Sequence, residues 1–332
     1  MAGGSRGADL VVQSLTAAGV ENIFALSGNQ IMPIFDACID QPLDLFHVRH
    51  EAAAVHMADA YARLTGEPGI ALVTAGPGFC NALSALYVAL CAESPMVLLS
   101  GCSPRSLAGQ GAFQEMPQAE MAGHVTKASW MAEDAARLGD DIARAIRIAR
   151  SGRPGPVHIA LPADVLNAAA DVSPKALPRA EDFAPTLTLL DGRTAESVLD
   201  ALSKAKRPMV LAGASLCRSG GPELLRAFQE QAGVPAIGME SPRGINDPSL
   251  GAFAEVLAQA DLLVLVGKPL DFTLRLGREP FIDPACQVIQ FDPEMRVLEQ
   301  TASNLGDASR LLVSELTDAA PALERLTEMA AQ

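Results

Sequence analysis

Short, almost continuous apolar runs recur along this chain and alternate with segments of helical pattern. They lie at residues 69–74 (GIALVT), 95–100 (PMVLLS), 156–161 (PVHIAL), 208–212 (PMVLA), 261–266 (DLLVLV) and 286–291 (CQVIQF). A strand without polar alternation is buried on both faces, which is typical of parallel sheets that are covered by helices. The alternation of such strands with helices predicts an α/β fold with doubly wound parallel sheets.

The chain is long enough for two domains. It has 332 residues, of which 49% are hydrophobic, and this is sufficient for two cores. Prolines and acidic residues interrupt every periodic pattern over residues 171–187, as is typical of a linker. We therefore predict a first domain over residues 5–170, a linker over 171–187 and a second domain over 188–330.

Composition excludes several classes of partner. A net charge of −14 argues against a general nucleic-acid binder, which would need a basic face, and against a polybasic membrane surface. No apolar run reaches spanning length, and the N-terminus lacks the apolar core of a signal peptide. The 6 cysteines show neither a CxxC pair nor a metal-ligand spacing, so we expect buried free thiols in a cytoplasmic protein.

Four loops in the first half follow predicted strands, and they are expected to meet at the sheet edge where open α/β sheets bind ligands. They lie at residues 27–30 (SGNQ), 50–51 (HE), 74–78 (TAGPG) and 102–123. Gly76 and Gly78 leave room for close approach of a ligand to the backbone, although GPG alone is also typical of a tight turn. The segment GAFQEMPQ at residues 111–118 is aperiodic, as functional loops are.

Glu51 lies where a short predicted strand passes into a helix of small residues, at this same edge. A carboxylate in the first turn of a helix is favoured by the helix dipole, so capping alone would explain its presence. A functional role is the other interpretation, and the loops that accompany Glu51 favour it.

Taken together, these segments resemble thiamine-diphosphate enzymes. The segments RHEAAAVHMADAYAR, LVTAGPGFCNAL, GAFQEMPQAEMAGHVTKAS and GRPGPVHIALPADV, in this order, are similar to the pyrimidine-binding domain of the acetolactate synthase-like superfamily. This superfamily includes 2-hydroxyacyl-CoA lyases, oxalyl-CoA decarboxylases, benzaldehyde lyase and acetolactate synthases. The second half resembles their Rossmann-like middle domain through RPMVLAGA, SPRGINDP and ADLLVLVGKPLDFTLRLG, the last being more similar to the acyl-CoA lyase branch.

The resemblance implies two catalytic residues. Glu51 would hydrogen-bond the pyrimidine ring of thiamine diphosphate and favour the imino tautomer, whose nitrogen takes the proton from the thiazolium C2. Its carboxyl group must then lie in a mostly apolar site, because desolvation favours the protonated form. Gln114 would face the bound substrate or intermediate; an amide that only ties its own loop together is the alternative.

The same loops are implied to provide the remaining site residues. Those implied to bind the cofactor are Gly28, Asn29, Thr74, Gly76, Pro77, Gly78 and Asn81. Those implied to line the substrate pocket are Gln30 and Phe113. For Asn29 a turn residue is the alternative. No metal ligands are predicted in this chain, and structural roles are expected for His50, His56, His124 and His158.

The sequence departs from the family in one large respect. Relatives carry a third domain that binds the diphosphate through Mg²⁺, with a GDG segment followed by an Asn-rich segment. This sequence ends at Gln332, where that domain should begin, and its one Asp-Gly pair, Asp191-Gly192, lacks the following Asn. In relatives the cofactor lies between domains of two subunits. We therefore expect the Glu51-bearing subunit of a split enzyme that self-associates and takes its Mg²⁺ ligands from a partner chain.

Two other interpretations remain. One is a truncated homologue kept for assembly or regulation. The other is a nucleotide- or CoA-binding module, because the middle domain of relatives holds FAD, an adenine nucleotide or CoA, or nothing. No G-x-G-x-x-G occurs in the second half, so FAD is not expected. Lys268 and Arg275 could meet phosphates, although solvated surface positions are favoured for both.

As an enzyme, the chain is expected to make or break a C–C bond next to a carbonyl, as a lyase or carboligase. The small-molecule substrate implied by the resemblance is a 2-oxo acid, an acyloin or a 2-hydroxyacyl thioester.

Overall fold

A computed structural model describes residues 5–171, 173 and 177–331. The chain divides into two compact units, Met1–Thr186 and Leu187–Gln332. Part of the predicted linker, including Pro174, lies outside the described residues. Another part, Ala180–Phe183, forms a short 3-10 helix whose Phe183 is buried in the core of the first unit.

The first unit contains six strands and seven α-helices among its described residues. The strands are β1 (Asn22–Ala25), β2 (Asp44–His47), β3 (Gly69–Val73), β4 (Met96–Cys102), β5 (Ala128–Met131) and β6 (Pro156–Pro162). The helices are α1 (Gly7–Ala17), α2 (Met32–Ala37), α3 (Glu51–Thr65), α4 (Pro77–Cys91), α5 (Gln118–Ala122), α6 (Leu138–Arg150) and α7 (Ala163–Asn167).

The six strands form one sheet in the order β2-β1-β3-β4-β6-β5, and every pair is parallel. Alternate residues of β3 belong to two different hydrophobic cores. Ile70 and Leu72 pack in the core that includes α1 and α6, whereas Ala71 and Val73 pack in the core that includes α3 and α4. Helices on both faces explain why the predicted strands are apolar throughout.

Small residues let α3 lie close to the sheet. A Cβ on Gly69, at the start of β3, would stand 2.1 Å from the carbonyl oxygen of Ala58 in α3. The helix then ends at Gly66, whose φ of 79° lies in the left-handed region that glycine adopts without strain. These two glycines let the C-terminal half of α3 end next to the sheet and pass directly into β3.

The second unit is also a parallel sheet between helices. Its strands are β7 (Pro208–Ala212), β8 (Ala236–Gly238), β9 (Leu262–Val266), β10 (Gln287–Asp292) and β11 (Leu311–Leu316), in the order β11-β10-β9-β7-β8. Its helices are α8 (Gly192–Lys204), α9 (Gly221–Ala232), α10 (Phe253–Leu257), α11 (Met295–Leu305) and α12 (Ala319–Ala330). The predicted class, two doubly wound parallel-sheet domains, is confirmed. Within the described residues, no helix is long and apolar enough to cross a membrane.

Of the two surface positions expected for Lys268 and Arg275, the first was wrong and the second is confirmed. Lys268 is 5% exposed, because its Nζ donates to Oγ1 of Thr273 at 2.6 Å and to Oδ1 of Asp271 at 3.2 Å. A buried lysine needs such partners, so Lys268 is part of the structure of its loop. Arg275 does lie at the surface, 5.2 Å from the ring centre of Phe281.

The cysteines are free, as expected, but they are not all buried. Cys38, Cys102 and Cys286 are buried, and burial raises the pKa of the Cys38 thiol to about 11. Cys80 and Cys91 are exposed on α4, because the outer side of this helix faces away from the sheet.

Candidate active site

The four predicted loops follow four neighbouring strands, β2, β1, β3 and β4. Because these strands are parallel, their carboxyl ends share one edge of the sheet. The prediction that the loops meet at one edge is therefore confirmed.

Glu51 is the first residue of α3 and is only 8% exposed. Its Oε2 accepts a hydrogen bond from Nδ2 of Asn81, on α4, at 2.9 Å. Its Oε1 makes no hydrogen bond within the described part of the chain, and a Cβ on Gly78 would stand 3.1 Å from it. The carboxyl group is thus largely buried and held on one side by Asn81, while its second oxygen keeps room for a hydrogen-bond partner.

Two further glycines allow the loops to approach one another. A Cβ on Gly28 would stand 2.3 Å from the side chain of Thr74, so only glycine fits between these loops. Gly76 has a φ of 59°, and a Cβ there would stand 2.8 Å from Cβ of Gln114. The TAGPG turn therefore packs directly against the loop that carries Gln114.

Consecutive hydrogen bonds between side chains join three of these loops. Oγ1 of Thr74 donates to Oε1 of Gln30 at 2.8 Å, and Nε2 of Gln30 donates to Oε1 of Gln114 at 3.0 Å. Gln30 is 6% exposed. The structure thus brings three of the predicted site residues into direct contact.

The other predicted residues lie at the rim. Asn29 is exposed at the start of the 3-10 helix Asn29–Ile31, and Pro77 is exposed at the first position of α4. Phe113 is 74% exposed, so the structure does not bury it among the other predicted residues. Its role as a pocket wall stays a prediction.

The loop before α5 is held by its own carboxylate. Oε1 of Glu115 accepts from the backbone N–H of Gly109 at 2.5 Å, and Oε2 accepts from those of Gly111 and Ala112 at 3.0 Å each. Hydrogen bonds to the charged form lower the pKa of a carboxyl, and they do so for Glu115. This turn fixes the segment that carries Gln114.

A buried polar network, which the sequence did not reveal, lies beneath the Gly76 turn. Oε1 of Gln118 accepts from the backbone N–H of Gly76 at 3.0 Å, and its Nε2 donates to Oγ of Ser100 at 2.7 Å. Ser100 lies 2.7 Å from Nε2 of His158, and Nδ1 of His158 lies 2.8 Å from Oγ of Ser129. The network runs from the turn to strand β5.

The backbone at one end of this network fixes the orientation of the Gln118 amide. A backbone N–H can only donate, so Gln118 must direct its oxygen to Gly76 and its NH₂ group to Ser100. Ser100 therefore accepts from Gln118, and its hydroxyl can either donate to Nε2 of His158 or accept from it, so the two serines satisfy a neutral imidazole in either tautomer. Burial lowers the pKa of His158 to about 3, which agrees with a neutral ring.

This burial predicts a pH dependence of stability. Between its folded pKa of about 3 and the ordinary histidine pKa of 6.5, His158 binds a proton only in the unfolded chain, so stability falls as pH falls through that window. From pH 7 to pH 5 we expect His158 to cost about 2 kcal/mol. Between pH 7 and pH 5, the free energy of unfolding measured with urea should therefore fall by about 2 kcal/mol less for His158→Gln than for the unmodified chain. The same change at the exposed His124 should leave the acid destabilisation unaltered; equal behaviour of the two variants would contradict the assignment.

Two family profiles match the chain. That of "Thiamine pyrophosphate enzyme, N-terminal TPP binding domain" matches residues 5–121, and that of "Thiamine pyrophosphate enzyme, central domain" matches residues 195–315. The first match includes every predicted site residue. Thiamine pyrophosphate (TPP) is the same compound as thiamine diphosphate.

Curated relatives agree with these matches. A probable acetolactate synthase large subunit of Methanocaldococcus jannaschii is 28% identical over 98% of this chain and 59% of its own length. Acetolactate synthase isozyme 3 large subunit of Escherichia coli is 37% identical over 70% of this chain and 41% of its own length. Oxalyl-CoA decarboxylase of Escherichia coli is 32% identical over 88% of this chain and 53% of its own length.

The chain thus spans between 41% and 59% of the length of these relatives. The first profile falls on the first α/β unit and the second profile on the second unit. The match to the Methanocaldococcus jannaschii relative extends over both. The chain belongs to the thiamine pyrophosphate enzyme family, in the group of acetolactate synthases and oxalyl-CoA decarboxylase, and carries the family's N-terminal TPP-binding and central domains.

Proposed function

We propose that this chain supplies the half of a thiamine diphosphate site that holds the pyrimidine ring, in an enzyme that makes or breaks a C–C bond next to a carbonyl. The observation that carries the proposal is the burial and hydrogen bonding of the Glu51 carboxyl group. This group is largely buried, with one oxygen held by Asn81 and the other without a hydrogen bond in the described part of the chain. Among the described residues, only Oγ of Ser14 is a buried side-chain N or O atom without a partner, so solvent reaches this second oxygen of Glu51 and a ligand at the same edge can bond to it.

The residues present fit the cofactor. A Cβ on Gly78 would stand 3.1 Å from Oε1 of Glu51 and 2.8 Å from the side chain of Thr74, so a larger residue here would crowd the carboxyl group. A flat ring with a hydrogen-bonding nitrogen suits a site with a carboxyl group on one side and bare backbone on the other. Glu51, Asn81, Gly76 and Gly78 would therefore hold the pyrimidine.

The chain's own residues then have separate tasks. Bound thiamine diphosphate supplies a nucleophilic carbon for attack on a carbonyl group. Glu51 is positioned to exchange a proton with a ring nitrogen through Oε1, while Asn81 fixes the carboxyl group through Oε2. A ring bound against Oε1 would displace the water that reaches this oxygen. Gln114 contributes its amide from the loop that packs against Gly76.

We further propose that a second polypeptide supplies the diphosphate-binding domain and the Mg²⁺ ligands, and that the complex acts on a 2-oxo acid, an acyloin or a 2-hydroxyacyl thioester. The names of the relatives support this substrate range, since they include acetolactate synthases and an oxalyl-CoA decarboxylase. Among the described residues, no group of three or more His, Cys, Asp or Glu side chains could hold a metal ion. A cytoplasmic location belongs to the same proposal.

The test is capture of the tagged chain from its native lysate, followed by reconstitution. We expect a stoichiometric companion of about 180 to 200 residues, the size of one further domain, with a GDG segment and an Asn-rich segment after it. The purified complex should bind thiamine diphosphate saturably in the presence of Mg²⁺ and turn over 2-oxo acids. Recovery of the chain alone, with no turnover and no cofactor binding, would favour a role in assembly or regulation instead.

A further inference from the structure

The amide group of Gln114 lies at the end of a directed series of hydrogen bonds. The hydroxyl of Thr74 donates to Oε1 of Gln30, which leaves the NH₂ group of Gln30 for Oε1 of Gln114. Gln30 is almost completely buried, so its amide cannot turn to water for other partners. The oxygen of Gln114 is therefore occupied by Gln30.

The NH₂ group of Gln114 has no such partner. Within the described part of the chain, Gln114 makes no other hydrogen bond, and its side chain is half-buried. Its backbone has a φ of 61°, in the left-handed region that costs a non-glycine residue about 1 kcal/mol. Its Cβ packs against Gly76. The side chain is thus fixed at its base by packing and at its oxygen by Gln30, with two N–H groups left to donate.

We propose that Gln30 and Thr74 are positioning residues that turn the amide of Gln114 so that it can only donate. The group that it binds is then an acceptor oxygen, such as the carbonyl or carboxylate oxygen of a 2-oxo acid. An amide with the opposite orientation would present its oxygen and favour a hydroxyl or amine instead. This inference depends on the proposed function for the identity of the ligand, whereas the orientation itself does not.

The orientation can be measured in the isolated chain by NMR, without cofactor or partner. The side-chain NH₂ signals of the two residues are assigned from their loss in Gln30→Met and Gln114→Met. Because the NH₂ group of Gln30 is buried and hydrogen-bonded, we expect it to exchange with solvent at least about tenfold more slowly than that of Gln114. Slower exchange of Gln114 would mean the reverse orientation and would overturn the proposal.

The consequence for binding is tested with Gln30→Glu in the reconstituted complex. A carboxylate at this position can only accept, so Gln114 must turn its NH₂ group inward and present its oxygen to the ligand. With pyruvate as the probe, we expect KM to rise by at least about tenfold, the loss of roughly one charge-assisted hydrogen bond, with a smaller change in kcat. Thr74→Val, which releases Gln30, should shift KM in the same direction by a smaller factor.

The matched control is Gln110→Glu, which adds the same charge at an exposed position of the same loop, where the Gln110 side chain donates to the carbonyl oxygen of Ser106. Its KM for pyruvate should equal that of the unmodified complex. Equal KM values for the two glutamate variants would contradict the inference. A complex without any turnover would remove the proposed function, and the exchange measurement would still decide the orientation of the amide.

Discussion

Turnover by the reconstituted complex is expected to fall by about 10²- to 10⁴-fold when Glu51 is replaced by glutamine, the range of general acid–base catalysis. Glutamine keeps the shape of the side chain and can still bond to Asn81, which holds Oε2 of Glu51 at 2.9 Å. It cannot exchange a proton at the position of Oε1. Steady-state kinetics at saturating thiamine diphosphate and Mg²⁺ would measure the loss.

The control for this variant is Glu67→Gln, an exposed change just beyond the other end of α3. It should retain full activity. The midpoint of urea unfolding for Glu51→Gln should stay close to that of the unmodified chain, so that lost activity reports chemistry rather than folding. A Glu51→Gln complex that retains full activity would exclude a catalytic role and favour a purely structural chain.

Replacing Gln118 by leucine is expected to lower the free energy of unfolding by about 3 to 5 kcal/mol. Gln118 is 2% exposed and makes hydrogen bonds to the backbone N–H of Gly76, to Oγ of Ser100 and to the carbonyl oxygen of Gly101. Leucine has a similar volume but leaves these groups without partners, and each buried unsatisfied group costs about 1 to 3 kcal/mol. Urea unfolding at pH 7 would measure the difference.

The same substitution at Gln110 provides the comparison. Its one side-chain hydrogen bond among the described residues, to the carbonyl oxygen of Ser106, is exposed, so Gln110→Leu should cost less than about 1 kcal/mol. An equal loss at both positions would show that the buried network contributes nothing beyond the general cost of the change. The expected contrast would identify the network as the support of the Gly76 turn.

The sequence predicted the central strands well, because a strand covered on both faces is apolar throughout. It did not predict β5, an edge strand of which three residues are half-buried and one is exposed, since such a strand has no apolar run. It also did not predict α8. Asp191-Gly192 was considered only as a possible diphosphate motif, whereas the Asp191 side chain caps this helix by accepting from the backbone N–H groups of Arg193 and Thr194.

The site was predicted in outline through Glu51 and the loops around it. The supporting network was not, because Gln118, Ser100 and His158 are far apart in the sequence and share no local pattern. A signal was present nevertheless. Ser100 and His158 are polar residues within apolar strands, and a polar group on a buried strand requires a partner. Which partner it finds depends on the order of the strands, which a single sequence does not specify.

The four adjacent loops also have a consequence for the order of folding. The hydrogen bond between Gln30 and Gln114 joins residues 84 positions apart, and that between Gly76 and Gln118 joins residues 42 positions apart. Contacts of such high sequence separation form only after the entropy of closing long loops has been overcome. The loops after β1, β3 and β4 cannot meet until these strands have paired. A chain emerging from the ribosome therefore acquires this site late, and an intact site is a sign that these three strands have already paired.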